Sequence, residues 1–326
     1  MTRRSVLFSP GDQPELLRKA PESDADVVVF DLEDAVAPTQ KEVARESVVS
    51  VLTEIDPSCE VCVRINPLEQ GGREDLAALF ADPIRIDSIM LPKVRSSGDV
   101  ENLAKLLDEY GTELPVLALL ETADGILDAP RIADVLATDA ILFGAEDLAA
   151  DIGATRTEDG TEVLYARQRV VLAASSADVH AIDTLHTDFE DTTDLEADTE
   201  KGIEMGFDGK MAIHPGQIQV INDAFTPDED AFDWAQRVLA AKDEAEQEGR
   251  GVFTVDGEMI DAPLITQAED IVERIVADSP CDQPVEQHHR AVADTGGGSS
   301  ANHSVSGDQE QVEYKVEYCC STCREN

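Results

Sequence analysis

Eight short apolar runs recur along the first two thirds of the chain, each followed by a polar cluster and then a stretch of helical periodicity. Parallel strands that are covered on both faces are continuously apolar, whereas half-exposed strands alternate. Eight such strands separated by helices predict an α/β fold of the closed (β/α)₈ TIM-barrel type. The predicted strands span residues 4–8, 27–31, 61–65, 88–91, 116–120, 140–143, 181–185 and 210–213.

The alternative for this pattern is an open, doubly wound sheet. Sheets of that kind ordinarily carry a Gly-rich dinucleotide fingerprint or a phosphate-binding loop after a strand. Neither GxGxxG nor GxxxxGK(S/T) occurs in the sequence. We therefore predict one barrel domain over residues 1–278, which includes a C-terminal helical segment.

Polar residues follow every predicted strand. In TIM-barrel enzymes the active site lies at the carboxyl ends of the strands, so these residues are expected to converge on one mouth. Carboxylates brought together in this way repel one another unless their pKa values rise or a cation binds. The strand ends read Ser9-Pro10-Gly11, Asp31-Leu32-Glu33-Asp34, Arg64-Ile65-Asn66-Pro67, Pro92-Lys93, Glu121-Thr122, Gly144-Ala145-Glu146-Asp147, Thr184-Leu185-His186-Thr187 and His214-Pro215.

A divalent cation is the simplest solution for such a mouth, and oxygen ligands favour Mg²⁺ or Mn²⁺. Glu121 and Asp147 are the predicted metal ligands. Two carboxylates leave several of about six coordination positions to water and to substrate oxygens. Glu33 and Asp34 are predicted to orient the waters of the metal.

Three basic or ionisable side chains accompany the acids. Arg64 can grip a carboxylate or stabilise an enolate oxygen, and it can also neutralise its acidic neighbours. Lys93 could form an imine with a carbonyl substrate, but nearby carboxylates would raise its pKa, which disfavours that chemistry. His214 could be a base, a ligand or a loop anchor, and the last role is favoured for a lone histidine.

The charge of the chain restricts its partners. Asp and Glu number 69 against 25 Lys and Arg, which gives a formal net charge of −44. Nucleic acid and anionic membranes are therefore not expected as partners. A hydrophobic fraction of 42% still allows a sizeable core. Such an acidic surface is typical of a protein kept soluble in high salt, and we predict the cytoplasm of a halophile.

The cysteines do not form the pattern of a small disulfide-stapled domain. Cys59 and Cys62 have CxxC spacing, but an odd offset on a strand sends their side chains to opposite faces, so core positions are favoured over chelation. From residue 279 onward, Gly, Ser, Gln and Asp dominate without apolar periodicity, which predicts a disordered tail over residues 279–326. Cys320 and Cys323, with histidines upstream, could bind zinc only if that tail folded.

Seven segments, taken in order, resemble the citrate lyase β-subunit-like family of CoA-thioester lyases within the HpcH/HpaI aldolase superfamily. This family includes malyl-CoA and citramalyl-CoA lyases, and the resemblance extends over residues 3–275. The segments are Arg4-Ser-Val-Leu-Phe-Ser-Pro-Gly11, Asp31-Leu-Glu-Asp-Ala-Val36, Val63-Arg-Ile-Asn66, Leu91-Pro-Lys-Val94, Leu120-Glu-Thr122, Phe143-Gly-Ala-Glu-Asp-Leu148 and Gly206-Phe-Asp-Gly-Lys-Met-Ala-Ile-His-Pro215.

The resemblance implies roles for individual residues. It implies that Glu121 and Asp147 hold Mg²⁺, that Arg64 contacts substrate, and that Glu33 and Asp34 support the metal. Residues near Lys19, together with His214 and Pro215, correspond to stretches that contact CoA. The segment Met259-Ile-Asp-Ala-Pro263 resembles a C-terminal extension that packs on a neighbouring subunit, whose Asp261 would transfer a proton. A homotrimer or homohexamer follows from that arrangement.

The implied activity is reversible carbon–carbon cleavage of a 3-hydroxyacyl-CoA to an α-keto acid and an acyl-CoA. Malyl-CoA, β-methylmalyl-CoA and citramalyl-CoA all remain compatible as substrates. One alternative is a lyase subunit that acts on a carrier-bound citryl thioester. Another is a catalytically silent CoA-binding subunit. The acid-rich segment of residues 187–196 departs from the family's pattern, and so does the tail after Ala277.

Overall fold

The computed structural model of the protein describes residues 2–189, 191–247 and 249–278. Eight parallel strands form a closed barrel in which each strand pairs with the next along the chain and the last pairs with the first. The predicted (β/α)₈ barrel is confirmed, and the predicted strand ends differ from the observed ones by no more than about two residues. The strands are β1 (Ser5–Pro10), β2 (Val27–Asp31), β3 (Glu60–Arg64), β4 (Ser88–Leu91), β5 (Val116–Leu120), β6 (Thr138–Phe143), β7 (His180–Asp183) and β8 (Gly209–Ala212).

Helices surround the barrel, and several begin directly at the polar residues that end the strands. Thr122 follows β5 and caps the next helix, because its side-chain oxygen accepts a hydrogen bond from the Gly125 amide. Ser96 and Asp99 form a capping box in the same position after β4. The helices of the barrel are α1 (Pro14–Lys19), α2 (Lys41–Glu54), α3 (Gly72–Leu79), α4 (Ser97–Glu109), α5 (Ala123–Ala133), α6 (Ala145–Ile152), α7 (Leu164–Ala177), α8 (Thr192–Met205) and α9 (Ile218–Phe225).

The barrel wall separates two apolar layers. On β2, Val27 and Val29 belong to the cluster inside the barrel, whereas Val28 and Phe30 belong to the cluster between the strands and the helices. This alternation is the strand period of two, hidden in the sequence because both layers are apolar. The same alternation decides which polar residue points into the mouth when a strand ends.

The two cysteines that the structure describes lie in these layers. Cys62 is fully buried in the cluster inside the barrel. Cys59 precedes β3, is half-buried and packs against the outer cluster. Both are free thiols on opposite sides of the wall, as their spacing predicts.

The C-terminal segment has a small core of its own. Helix α10 (Glu229–Gln247) packs against α11 (Ala262–Asp278), and the short antiparallel strands β9 (Phe253–Val255) and β10 (Glu258–Ile260) lie between them in sequence. Asp256 and Gly257 join these strands with positive φ values of 52° and 89°. The predicted tail of residues 279–326 lies outside the described residues.

The amino end of the barrel is closed by ion pairs. Arg3 donates from Nε to Glu60 Oε2 at 2.7 Å, and Ser88 Oγ donates to Glu60 Oε1 at 2.6 Å. Arg3 also pairs with Asp139. Of the helices that the structure describes, none combines the length and the apolar character needed to cross a bilayer.

Candidate active site

A cavity of about 460 Å³ opens at the carboxyl ends of β3, β4, β5 and β6. Its wall contains Glu121, Asp147 and Lys93, which follow three of these strands. The remaining wall comes from the loops after β3 and β4 and from the first turns of the helices that follow. The structure thus brings together the two predicted metal ligands, as expected for the mouth of a barrel.

Glu121 points into the barrel because it follows Leu117 and Leu119 in the inward register of β5. Its side chain is buried, and Oε1 accepts a hydrogen bond of 2.8 Å from the Lys93 amide. Burial, together with the charges of Asp147 and Glu33, raises the pKa of Glu121 to about 8. The fold therefore holds a carboxylate whose charge its protein neighbours do not compensate.

Gly144 makes room for this carboxylate. A Cβ atom at position 144 would lie 2.7 Å from both Cβ and Oε2 of Glu121, closer than such atoms approach. Asp147 lies one turn further on, in the first turn of α6, where it is half-buried. The Gly-Ala-Glu-Asp segment thus has a steric reason for its glycine as well as a chemical reason for its aspartate.

These residues fit a divalent cation of the Mg²⁺ class. Two carboxylates in one cavity, one of them buried with a raised pKa, supply the hard oxygen donors that Mg²⁺ prefers. Within the described ranges, no group of three or more His, Cys, Asp or Glu side chains has the arrangement of a metal site. A site with two carboxylates is consistent with that result, because Mg²⁺ usually keeps several waters.

Arg64 lies beside this site, held by Asp31, a residue without a predicted role. Asp31 is fully buried at the end of β2, and its carboxylate accepts hydrogen bonds from Arg64 Nε at 2.7 Å and Nη2 at 2.5 Å. It also accepts from the Glu33 amide at 2.8 Å. The guanidinium carbon of Arg64 stacks 4.8 Å from the ring centre of Phe8. The available clue to Asp31 was its position along β2, because it follows Val27 and Val29, which point into the barrel. In the sheet, β2 and β3 pair Asp31 directly with Arg64.

Glu33 and Asp34 both form ion pairs with Lys93. Lys93 Nζ donates to Glu33 Oε1 and, at 3.0 Å, to Asp34 Oδ2. Glu33 is buried, and its Oε2 lies 3.2 Å from Arg64 Nη1. Burial raises the pKa of Glu33 although both cations oppose the shift. Burial also acts to raise the pKa of Asp34, but its hydrogen bond to Lys93 outweighs this and the pKa is lowered.

Lys93 has the wrong electrostatics for an imine. Burial lowers the pKa of Lys93, but its hydrogen bonds to Glu33 and Asp34 outweigh burial, and the pKa is raised overall. Its backbone adopts a φ of 53°, in the left-handed region that non-glycine residues rarely occupy. The lysine is therefore a fixed ammonium group that ties the β4 loop to the β2 loop.

The residues predicted to contact CoA lie outside the wall of this cavity. Lys19 is exposed at the end of α1, after β1. His214 and Pro215 are exposed after β8, the strand that pairs with β1. His214 anchors its loop: Nδ1 accepts from the Gly216 amide at 3.0 Å, and its ring stacks on Phe189. This geometry matches the favoured role of an anchor and leaves the rest of the exposed ring accessible.

Asp261 does not line the cavity in a single chain. It lies between β10 and α11, half-buried, and its backbone carbonyl accepts from the Ile265 amide at 3.1 Å. Further along α11, Arg274 lines a small cavity with Arg3 and His180, at the amino end of the barrel. Within one subunit, the extension that carries Asp261 therefore reaches the end of the barrel opposite to Glu121.

Comparison with known proteins agrees with this geometry. The HpcH/HpaI aldolase/citrate lyase family matches residues 4–215. The mitochondrial citramalyl-CoA lyase of Homo sapiens is 37% identical over 287 residues, which cover 83% of this chain and 84% of the relative. A (3S)-malyl-CoA thioesterase of Cereibacter sphaeroides is 36% identical over 276 residues, which cover 84% and 95%.

A solved structure shares the architecture. The crystal structure of the protein CitE from Mycobacterium tuberculosis in complex with magnesium, acetoacetate and coenzyme A superposes with a TM-score of 0.72 at 36% sequence identity. The similarity covers 84% of this chain and 98% of CitE. The resemblance carried by the seven sequence segments is confirmed, and the chain belongs to the HpcH/HpaI aldolase/citrate lyase family.

Proposed function

We propose that the protein is a Mg²⁺-dependent carbon–carbon lyase that converts a 3-hydroxyacyl-CoA into an α-keto acid and an acyl-CoA, or joins the two in reverse. Citramalyl-CoA, malyl-CoA and β-methylmalyl-CoA are the substrate candidates. The observation that carries the proposal is the pairing of buried Glu121 with Asp147 in one cavity. This pair has the donor atoms and the unbalanced charge that a divalent cation requires.

Glu121 and Asp147 would hold the metal, and the other acids of the mouth would support it. Bound there, Mg²⁺ supplies Lewis-acid polarisation of substrate oxygens. Glu33 is fixed by Arg64 and Lys93, so its carboxylate is oriented before substrate arrives. Asp34 is more exposed than Glu33 and can orient water at the rim.

Arg64 would stabilise negative charge on the thioester oxygen as the carbon–carbon bond breaks. Its guanidinium is held on one side by two hydrogen bonds to Asp31 and on its face by Phe8. A cation fixed in this way needs no reorganisation when charge develops, which is the property that makes electrostatic stabilisation effective.

The proton for the acyl-CoA carbon would come from Asp261 of a neighbouring subunit. Asp261 is absent from the cavity wall of its own chain, and a site completed by a second copy accounts for that position. We accordingly propose a homotrimer or homohexamer. Lys19, His214 and Pro215 would contact CoA on the β1 and β8 side of the mouth, and residues 1–278 would form the lyase domain.

A panel of thioesters tests the proposal. Malyl-, β-methylmalyl- and citramalyl-CoA are given to the purified protein in molar KCl with Mg²⁺, and products are identified by mass spectrometry. We expect a keto acid and an acyl-CoA, and no cleavage after EDTA treatment. The dependence of this activity on the KCl concentration tests the proposed assignment to the cytoplasm of a halophile.

Other outcomes assign other functions. Release of free CoA and a hydroxy acid would make the protein a thioesterase, as the Cereibacter relative is named. Turnover of a carrier-bound citryl thioester alone would make it a citrate lyase subunit. No turnover of any thioester would indicate a silent CoA-binding subunit.

A further inference from the structure

A buried carboxylate lies behind the mouth, outside the residues assigned a role above. Asp75 is in the first turn of α3 and is fully buried. Its Oδ1 accepts a hydrogen bond of 2.6 Å from Arg45 Nε on α2. Its Oδ2 accepts two hydrogen bonds of 2.7 Å, from the backbone amide and from the side-chain Nδ2 of Asn66.

Asn66 transmits this anchoring to the loop after β2. It lies two residues beyond Arg64 and is almost fully buried. One Nδ2 hydrogen is used by Asp75, and the other is donated to the Leu32 carbonyl at 2.9 Å. Both donor positions of the amide are therefore occupied, and its orientation is fixed.

Lys41 holds the same stretch of backbone from another side. Its Nζ donates to the carbonyl of Leu32 at 2.7 Å and to that of Glu33 at 2.6 Å. The Leu32 carbonyl thus accepts from both Asn66 and Lys41. The peptide that carries the Glu33 side chain is fixed at both of its ends, because Asp31 accepts from the Glu33 amide.

We propose that Asp75 and Asn66 are positioning residues for the lyase, which act through the Leu32 carbonyl to hold the Glu33 carboxylate between Arg64 and Lys93. The inference rests on the proposed function, since it concerns a step of that reaction. Burying a carboxylate away from solvent is costly, and apolar packing between α2 and α3 would avoid that cost. Instead, Oδ2 of Asp75 accepts two hydrogen bonds from Asn66, in the loop that follows β3 at the active site.

The most informative variant is Asn66→Ser, which keeps the backbone bond to Asp75 and removes both side-chain bonds of Asn66, to Asp75 and to the Leu32 carbonyl. We expect kcat to fall about 10- to 100-fold, the range typical of partners that orient site residues, with little change in KM for the thioester. Asp75→Asn should lower kcat at least as much, because the new side-chain amide places a donor against the donors of Arg45 and Asn66. If Asp75→Asn fails to fold, Asn66→Ser still decides the matter.

A double-mutant cycle separates positioning from stability. If Asn66 acts through Glu33, Asn66→Ser should lower kcat far less in a Glu33→Gln background than in the wild type. Glu60→Gln, which breaks a buried acid–arginine pair at the amino end of the barrel, is the matched control. It should lower the melting temperature and leave kcat unchanged.

Two results overturn the inference. If the loss of kcat in the double variant equals the product of the losses in the two single variants, Asn66 does not act through Glu33. The lyase function would stand in that case. A wild-type protein without lyase activity would overturn both proposals together.

Discussion

Two of the regions in which the barrel buries charged side chains differ in how their charges balance. The mouth cluster lies at the carboxyl ends of β2 to β6, where acidic side chains outnumber basic ones and Glu121 has a raised pKa. The outer cluster lies behind β7 and β8, between the strands and helices α7 and α8. The mouth cluster comprises Asp31, Glu33, Asp34, Glu121, Asp147, Arg64 and Lys93, and the outer cluster comprises Asp183, Asp198, Arg167 and Lys210.

The outer cluster is complete in itself. Arg167 forms a paired contact with Asp183 through Nε at 3.0 Å and Nη2, and Lys210 Nζ donates to Asp198 Oδ2 at 2.6 Å. Three of its members are almost fully buried, and Asp198 is partly exposed. Acids and bases are equal in number, so the cluster needs no further ion.

In a very acidic protein, the balance of charge distinguishes a candidate functional cluster from a structural one. Acid content alone does not decide, because both clusters contain buried aspartates. The decisive property is the charge that remains after all protein partners are counted. It is negative in the mouth cluster and absent in the outer cluster, so only the mouth cluster has an excess negative charge that a bound cation would balance.

The largest expected effect is that of Glu121→Gln. It removes one proposed metal ligand and should lower kcat/KM at least about 10³-fold, since a bound metal ion contributes several kcal/mol to the barrier. In EDTA the variant should be no less stable than the wild type, because the mutation removes an uncompensated buried charge. Thioester cleavage and denaturant titration measure the two effects. Retained activity would show that the mouth cluster does not depend on the Glu121 carboxylate.

Asp183→Asn should show the opposite pattern. It leaves Arg167 and Lys210 buried with too little negative charge, which should lower the free energy of unfolding by about 3–5 kcal/mol. In the folded protein kcat should stay at the wild-type value, because the outer cluster does not reach the cavity wall. Denaturant titration in molar KCl and active-site-normalised kinetics provide the measurement. A loss of kcat without a loss of stability would contradict the structural role.

A smaller effect concerns acid sensitivity. Burial acts to raise the pKa of Asp198, but Lys210 and Arg167 outweigh it and the pKa is lowered below its ordinary value of 3.8. A lowered folded-state pKa stabilises the protein above the unfolded-state pKa, and that stabilisation is lost as the pH falls through the folded-state value. Asp198→Asn should cost about 1–3 kcal/mol at neutral pH, and the deficit should shrink below about pH 4. A deficit that does not depend on pH would argue against the ion pair.

The smallest expected effect is the absence of a covalent adduct. Because Glu33 and Asp34 raise the pKa of Lys93, the amine stays protonated and cannot attack a carbonyl. Borohydride added with pyruvate or glyoxylate should therefore leave the mass of the peptide containing Lys93 unchanged. A reduced adduct at this lysine would establish imine chemistry and replace the metal-based proposal.

The sequence was sufficient for the barrel because its strands are covered on both faces. Each apolar run stands out against the acidic helices, and even the inward direction of Glu121 follows from counting along β5. The short strands β9 and β10 were not predicted, since three residues carry no readable period. The Asp256-Gly257 pair, a strong hairpin signal, was the available clue.

The site was predictable only in part. Residues that follow a strand, such as Glu121, Asp147 and Arg64, were found because barrel topology assigns them to one mouth. The support given by Asp31 and Asp75 was not found, since it depends on contacts between separate loops. Asp261 came only from family resemblance, because no pattern within one chain can report the contact with another copy that we propose for it.

Gly144, which faces Glu121, limits how the sequence of this protein can evolve. Surface acids can be exchanged one at a time at little cost to stability. Position 144 offers no such freedom, because even a methyl group would collide with the carboxylate beside it. Most of the surface of this protein can therefore change during evolution, whereas position 144 must remain glycine.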